Sequence, residues 1–312
     1  MAKRDLVSIA DLTADEVHEI FRISRDLKDK TRKGIFPALL DKQALAMLFM
    51  KPSLRTRCTF EIGMFHLGGH AVYLAPSDIG MGKRESVYDV AKNLERWFGI
   101  VMARVFEHQT VVELARHCSV PVINALCDTE HPCQAMADFL TVLEHRGSFD
   151  GFRLAYIGDG NNICQSLILL SCLIGTHITV CTPKGYEPQE AIVRRARNLA
   201  GKSGGSYRHT YDPRDAVHDV HAIYTDVWAS MGQESEAEAR KAVFMPFQVN
   251  SDLVKAAPGG VMIMHDLPAH RGEEITDDVI DSPNSIVFDQ AENRLHAQKG
   301  IMVFLKGRSG KS

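Results

Sequence analysis

The sequence predicts an α/β protein built from two successive parallel-sheet domains, the second Rossmann-like. Three observations carry that expectation. Apolar runs of strand length alternate with segments of helical periodicity along the whole chain. A polar, turn-rich stretch at 144–151 (Glu-His-Arg-Gly-Ser-Phe-Asp-Gly) interrupts the alternation and reads as a domain boundary. Beyond it the series starts afresh: a strand at 152–157, the turn Gly158-Asp159-Gly160-Asn161-Asn162, and an apolar helix at 163–174. Repeated strand–helix units with short connections are the pattern of parallel sheets.

The composition fits that architecture and excludes several classes. The chain has 312 residues, enough for two ordinary domains, with 45% hydrophobic and 24% charged residues. A net charge of −3 gives no global case for nucleic-acid binding. The first residues lack the apolar core of a signal peptide, and no apolar run reaches membrane-spanning length. The seven cysteines are scattered, mostly inside apolar stretches, and form no CxxC pair. That pattern argues against a zinc site and for a reducing compartment, the cytoplasm.

Taken in order, the first helix opens on a capping box of Thr13 and Glu16 and buries Val17, Ile20, Phe21 and Leu27. A strand at 44–50 leads into Lys51-Pro52-Ser53-Leu54-Arg55-Thr56-Arg57, with a helix expected at 58–67. A strand, a short turn and a helix start gather unpaired N–H groups, hydroxyls and guanidinium groups, which is a phosphate site made without a glycine-rich loop. A solvated, Ser-capped surface helix fits this stretch about equally well on its own. A strand at 70–74 and a Gly- and charge-rich loop at 75–85 follow, then a helix opened by Ser86 and Asp89. Arg104 closes the strand 100–103, at the kind of strand end where open α/β sheets bind ligands. After the strand 120–125, His131 and Gln134 stand three apart at a helix start, able to meet a carbonyl and an amide.

In the second half the turn after the first strand lacks a dinucleotide fingerprint. Ile163 stands where the third glycine belongs, and the next strand ends in Thr182-Pro183-Lys184 without an acidic residue. Asn162 is then available to a polar substrate. A helix near 188–199, strands near 206–209 and 222–225, and a strand at 261–264 continue the series, followed by a strand at 285–288 and a helix at 290–306. Asp226, at a strand's carboxyl end, is placed to meet an ammonium group or to cap the segment after it.

Together, Ser53-Leu54-Arg55-Thr56-Arg57, Met102-Ala103-Arg104, His131-Pro132-Cys133-Gln134, the turn 158–162, the segment 226–232 and His265-Asp266-Leu267-Pro268 resemble the aspartate/ornithine carbamoyltransferase family over essentially the whole chain. Ser230-Met231-Gly232 marks the ornithine branch. The resemblance implies a carbamoyl phosphate-binding domain of residues 1–147 plus 290–312, the terminal helix packing back on it, and an ornithine-binding domain of residues 148–289. It implies transfer of a carbamoyl group to L-ornithine, giving citrulline for arginine biosynthesis, with no cofactor and no metal. It also implies a homotrimer, or a multiple of trimers, with active sites at subunit boundaries. Carried over residue by residue, Ser53, Leu54, Arg55 and Thr56 hold the phosphate, and Arg104 sits by the phosphate and the carbamoyl oxygen. His131 and Gln134 orient the carbamoyl group, Asp266 and Leu267 offer carbonyls to its NH2, and Arg294 closes the site. Asn162, Asp226, Ser230 and Met231 take the amino-acid end of ornithine.

Two positions depart from the family's usual sequence. Asp266 stands where Cys is common, and Gly80 where Gln is common. A carboxylate at 266 either serves the substrate amine or turns away to Arg271 or a loop N–H. Three rival readings follow: transfer to another amine such as putrescine or an acylated ornithine, a non-catalytic paralogue, and a nucleotide-dependent oxidoreductase. The free-amino-acid residues Asp226, Ser230 and Met231 oppose the first, the retained arginines and His131 the second, and the missing glycine the third.

Overall fold

The computed structural model describes residues 3–81, 84–229 and 236–309. The chain divides into two compact units: the residues up to Leu140 with those from Glu292 onward, and Thr141–Ala291.

The first unit contains α1 (Ala14–Arg32), β1 (Ala44–Phe49), α2 (Leu54–His66), β2 (His70–Leu74), the short α3 (Pro76–Ile79), α4 (Val87–Trp97), β3 (Ile100–Arg104), α5 (His108–His117), β4 (Val122–Leu126) and the start of α6 (Pro132–Arg146). The Thr13 capping box forms as expected, Thr13 accepting from the Glu16 N–H and Glu16 from the Thr13 N–H. The four strands pair in parallel in the order β2-β1-β3-β4. Every residue of β3 and β4 is buried, as expected of strands covered on both faces. One core cluster joins Ala46 and Leu48 of β1, Val101 and Ala103 of β3, Val90 and Leu94 of α4, and Val111 and Leu114 of α5.

The second unit contains β5 (Arg153–Ile157), α7 (Asn162–Leu173), β6 (His177–Cys181), α8 (Glu190–Ser203), β7 (Ser206–Thr210), α9 (Pro213–Val217), β8 (Ala222–Thr225), α10 (Ala237–Phe244), α11 (Ser251–Val254), β9 (Met262–His265) and α12 (Asp277–Ile280). Its five strands are all parallel, in the order β7-β6-β5-β8-β9. From Ile163 onward every residue of α7 is buried, which explains why its sequence is apolar all round.

The last helix, α13 (Val287–Ser309), carries its residues from Glu292 onward into the first unit. Lys28 of α1 bonds Asn293 at 2.7 Å and Glu292 at 3.0 Å, and Lys299 bonds Thr31 at 2.7 Å. A Cβ on Gly300 would lie 2.9 Å from the Ile20 carbonyl oxygen. Glycine there is what allows α13 to lie so close to α1.

Two expected elements differ. The strand at 285–288 is a single bridge between Ser285 and Ile263, and α13 has begun by Val287. The helix expected from 58 begins at Leu54, because Ser53 is its N-cap and accepts from the Thr56 N–H. Arg55, Thr56 and Arg57 are therefore helical, and their spacing is that of a helix face.

Candidate active site

In both sheets the strand order reverses at one place, between β1 and β3 in the first unit and between β5 and β8 in the second. Connections leave a sheet in opposite directions at such a point and open a crevice beyond the strands' carboxyl ends. Among the described residues, the sequence-predicted ones fall into one group in each unit, near these places.

In the first unit Phe49 of β1 is level with Arg104 of β3. Four residues later Ser53 starts α2. The hub of this group is the Thr56 hydroxyl, which is fully buried. Its Oγ1 accepts from Arg104 Nη1 at 3.3 Å, from Arg294 Nη2 at 3.1 Å and from Ser53 Oγ at 3.1 Å. Arg294, carried by α13, also donates through Nη1 to Gln134 Oε1. Gln134 in turn donates to Asp138 at 2.8 Å, which fixes the flip of its amide. Arg104, His131, Gln134 and Arg294 are all buried. Arg55 is half-buried, while the Leu54 side chain is 76% exposed. Of Leu54, only the backbone N–H at the helix start is suited to an anion.

The electrostatics match the geometry. Burial holds the His131 imidazole well below its ordinary pKa, and the guanidinium groups of Arg294, Arg104 and Arg55 push it the same way. Three positive groups acting on one buried imidazole make its surroundings electropositive. His131 stays a neutral imidazole there, fit to donate one N–H rather than to carry a charge.

Gly80 caps α3 in the left-handed region, with φ +59°. A Cβ there would also meet the Arg84 Cβ at 2.9 Å. Its identity thus has a local backbone cause.

In the second unit Ile157 of β5 is level with Thr225 of β8, and Thr225 with His265 of β9. The residues just after these strands meet. Asp226 accepts from Asn161 Nδ2 at 2.7 Å and from the Val227 N–H at 2.7 Å. Asn161 is also the N-cap of α7, its Oδ1 accepting from the Cys164 N–H at 3.1 Å and the Tyr156 hydroxyl at 3.2 Å. Asn162 lies beside it, its Oδ1 turned back on the Ile163 N–H at 2.8 Å. Asp266 stands against Asp226 and His265. It does not turn to Arg271, which pairs instead with Asp277 and Asp281. Burial raises the Asp226 carboxyl well above the ordinary range, and the Asp266 carboxyl raises it further.

His265 and Glu274 are fully buried and share a hydrogen bond of 3.1 Å at Nε2. The other ring nitrogen, Nδ1, accepts the Leu267 N–H at 2.8 Å. That network assigns the proton to Nε2. It also ties Leu267, which has φ +57°, into a tight turn that carries the carbonyls of Asp266 and Leu267. Ser230 and Met231 lie outside the described residues.

Three residues of these groups escaped the sequence reading. Asn161 carries a signal in the sequence, its N-cap position after the glycine turn. Glu274 and Asp138 had none, since their partners His265 and Gln134 are chosen by tertiary packing.

The chain matches known proteins over nearly its whole length. Residues 4–144 match the family model described as the carbamoyl-P binding domain of aspartate/ornithine carbamoyltransferase. Residues 150–305 match the model of its Asp/Orn binding domain. An anabolic ornithine carbamoyltransferase of Pyrococcus furiosus is 50% identical, with 98% of each chain covered. The solved structure of ornithine carbamoyltransferase from that organism aligns with a TM-score of 0.95 at 51% identity, covering 98% of each chain. At 33% identity, ornithine transcarbamoylase from Giardia lamblia still aligns with a TM-score of 0.89 over 98% of this chain and 99% of its own. Fold, family models and full-length identity therefore agree, and the chain belongs to the aspartate/ornithine carbamoyltransferase family.

Proposed function

We propose that this chain transfers the carbamoyl group of carbamoyl phosphate to the side-chain amine of L-ornithine, giving L-citrulline and phosphate. The observation that carries the reading is the Thr56 hub. Guanidinium groups from β3 and α13 converge there on the N-cap turn of α2.

In this reading the dianionic phosphate lies against the first N–H groups of α2, Ser53, Arg55 and Thr56. Arg104 and neutral His131 donate to the carbamoyl oxygen, Gln134 orients the carbamoyl amide, and Arg294 neutralises charge on the departing phosphate. The neutral side-chain amine attacks the carbamoyl carbon and the C–O bond to phosphate breaks. Negative charge gathers on the carbonyl oxygen and the leaving group, where these donors are already aimed. One such donor is worth about 3–4 kcal/mol of barrier, or roughly 100- to 1000-fold in rate. In the second unit Asp226 takes the α-ammonium group, with Asn162, Ser230 and Met231 at the same end of ornithine. Asp266 and Leu267 offer carbonyl oxygens to the carbamoyl NH2.

Citrulline formation tests the reading, measured with carbamoyl phosphate and, in parallel, ornithine, putrescine, N-acetylornithine and aspartate. Turnover with ornithine alone is expected. Turnover with only one of the other amines would move the substrate, and none with any amine would end the reading. The cytoplasm as its place and a homotrimer, or a multiple of trimers, as its assembly belong to the same proposal. Sedimentation equilibrium at the mass of one chain would refute the assembly.

A further inference from the structure

A cavity of about 280 Å³ opens at the amino-terminal end of the second unit's sheet. His145 and Arg146 at the end of α6, His221 before β8 and the turn Pro258-Gly259-Gly260 before β9 line it. With a water molecule taking up about 30 Å³ of liquid, the cavity has room for a phosphate-sized ion and several waters. It is not part of the group around Asp226. His221 precedes β8 and Asp226 follows it. The four residues between them, at roughly 3.3 Å each, keep the two more than about 10 Å apart.

The cavity offers hydrogen-bond donors and one cation without a carboxylate. Arg146 is half-buried and forms no ion pair among the described residues. Its Nη2 donates to the Asp150 carbonyl oxygen at 3.3 Å, and its buried Nε has no acceptor. The carboxylates nearby are already taken: Asp219 by Arg153 at 2.8 Å, and Asp289 by His145 at 2.8 Å. A cation partly withdrawn from water with no counter-charge is costly, and an anion relieves it. The Phe152 ring holds the donors in place. The Arg146 guanidinium lies over it at 5.4 Å, and the His221 ring stacks on it at 6.0 Å. His221 Nδ1 accepts the Arg153 N–H at 3.1 Å, which assigns the proton of the neutral ring to Nε2. Burial keeps that ring neutral, and the Arg146 and Arg153 guanidinium groups act in the same direction. Among the described residues Nε2 meets no acceptor. The turn closes with the Val261 N–H on the Pro258 carbonyl at 3.2 Å, and the N–H groups of Gly259 and Gly260 bond to no described residue. A Cβ at either glycine would meet nothing within 4 Å, so this rim is open.

We propose that this cavity binds a small oxyanion, a phosphate or a carboxylate, held by Arg146, His221 and the turn 258–260. The guanidinium fork matches two oxygens of such an ion. The imidazole and backbone N–H groups each add one bond to a further oxygen. An ammonium ligand would meet Arg146 as a like charge. The ion lies where β8 and β9 begin, and the other ends of these strands lead to Asp226 and Asp266.

Equilibrium dialysis of the whole protein tests the site, with labelled inorganic phosphate in one arm and labelled malonate in the other, at constant ionic strength in chloride. Arg146→Ala is expected to weaken one class of bound ion roughly tenfold or more. Arg146→Lys keeps the charge without the fork and is expected to fall between that variant and wild type. His221→Asn keeps an acceptor for the Arg153 N–H, removes the Nε2 donor, and is expected to weaken the same ion severalfold. Phosphate bound at the start of α2 is common to all the chains and cancels in the comparison. Citrulline formation at saturating substrate and the melting temperature in ion-free buffer are expected to stay as in wild type. A loss confined to phosphate identifies a phosphate ligand, and a loss confined to malonate a carboxylate. Equal binding of both ions by wild type and Arg146→Ala overturns the inference. If Arg146→Ala does not fold, Arg146→Lys and His221→Asn decide the same question, and equal binding by both overturns it. The ornithine reading is untouched by either result, because it is tested by citrulline formation in the wild type.

Discussion

At the scale of single residues, the group at the start of α2 turns on one hydroxyl. Thr56 Oγ1 is the acceptor on which Arg104 and Arg294 are both oriented. Thr56→Val keeps the shape and removes the acceptor, leaving two buried guanidinium N–H groups without their partner. Citrulline formation is expected to fall about 100-fold or more, and stability by about 1–3 kcal/mol. Thr56→Ser is expected to recover most of the activity, and equal rates for both variants would remove Thr56 from its central place. The carboxyl pair makes the opposite kind of prediction. Asp226 has its pKa raised on folding. The native state then binds more protons than the unfolded chain, and stability falls as pH rises from the ordinary carboxylate range toward the raised value. Asp266→Asn removes the neighbouring carboxyl's share of that shift and leaves the larger share from burial, and is expected to raise the melting temperature at pH 7–8 by about a degree or two. An unchanged or lower value at pH 8 would count against a strained pair. Such local conflicts gather at functional sites.

At the scale of elements, legibility followed how local the physics is. The Thr13 capping box depends on residues three apart and was readable at once. The start of α2 lies four positions before the expected one, because the Ser53 cap draws the basic residues after it into the helix. The expected strand at 285–288 failed because two β-branched residues and a phenylalanine made a short apolar run, and such runs do not distinguish a strand from a helix start. Asp226 and Arg104 were readable from their place at strand ends. Glu274 was not, since it acts from a loop through His265. Glu274→Ala is expected to free the Leu267 turn, raising the KM for ornithine more than that for carbamoyl phosphate, while Glu274→Gln keeps an acceptor and loses less. Equal changes in both constants would deny Glu274 its positioning role. Gly300 supplies a further test of packing between elements. With the Ile20 carbonyl oxygen 2.9 Å from where a Cβ would stand, Gly300→Ala must push α13 away from α1. A loss of about 1–3 kcal/mol in denaturant unfolding is expected, and no loss would show that the two helices have slack.

At the scale of the whole molecule, buried imidazoles set the acid limit. His296, held down to about 3 by burial and by Lys299, Lys28, Arg32 and His66, and His131 are neutral in the fold. Unfolded, both bind protons near pH 6.5. The unfolded state therefore gains protons first, and stability present above about pH 6.5 is lost as pH falls below it, with a slope that steepens by about 1.4 kcal/mol per unit for each group. His296→Gln is expected to flatten the acid limb of a melting-temperature profile between pH 6.5 and 4, and an unaltered limb would assign the acid limit elsewhere. The two-domain architecture and the family were legible because ordered motifs spanned the chain. The contact between Asp226 and Asp266 was not, for it is set by how the ends of β8 and β9 pack.

The crossing of α13 into the first unit also governs how the protein is made. Arg294 and the residues after it complete a unit whose other part ends at Leu140. A ribosome adding roughly 5–20 residues per second needs on the order of ten to thirty seconds to make the intervening segment. For that time the growing chain displays the surfaces of α1 and α2 that α13 later covers, with Thr56 deprived of Arg294. The nascent first half thus waits for α13 to complete the group around Thr56, while the second unit is able to fold from consecutive sequence before synthesis ends.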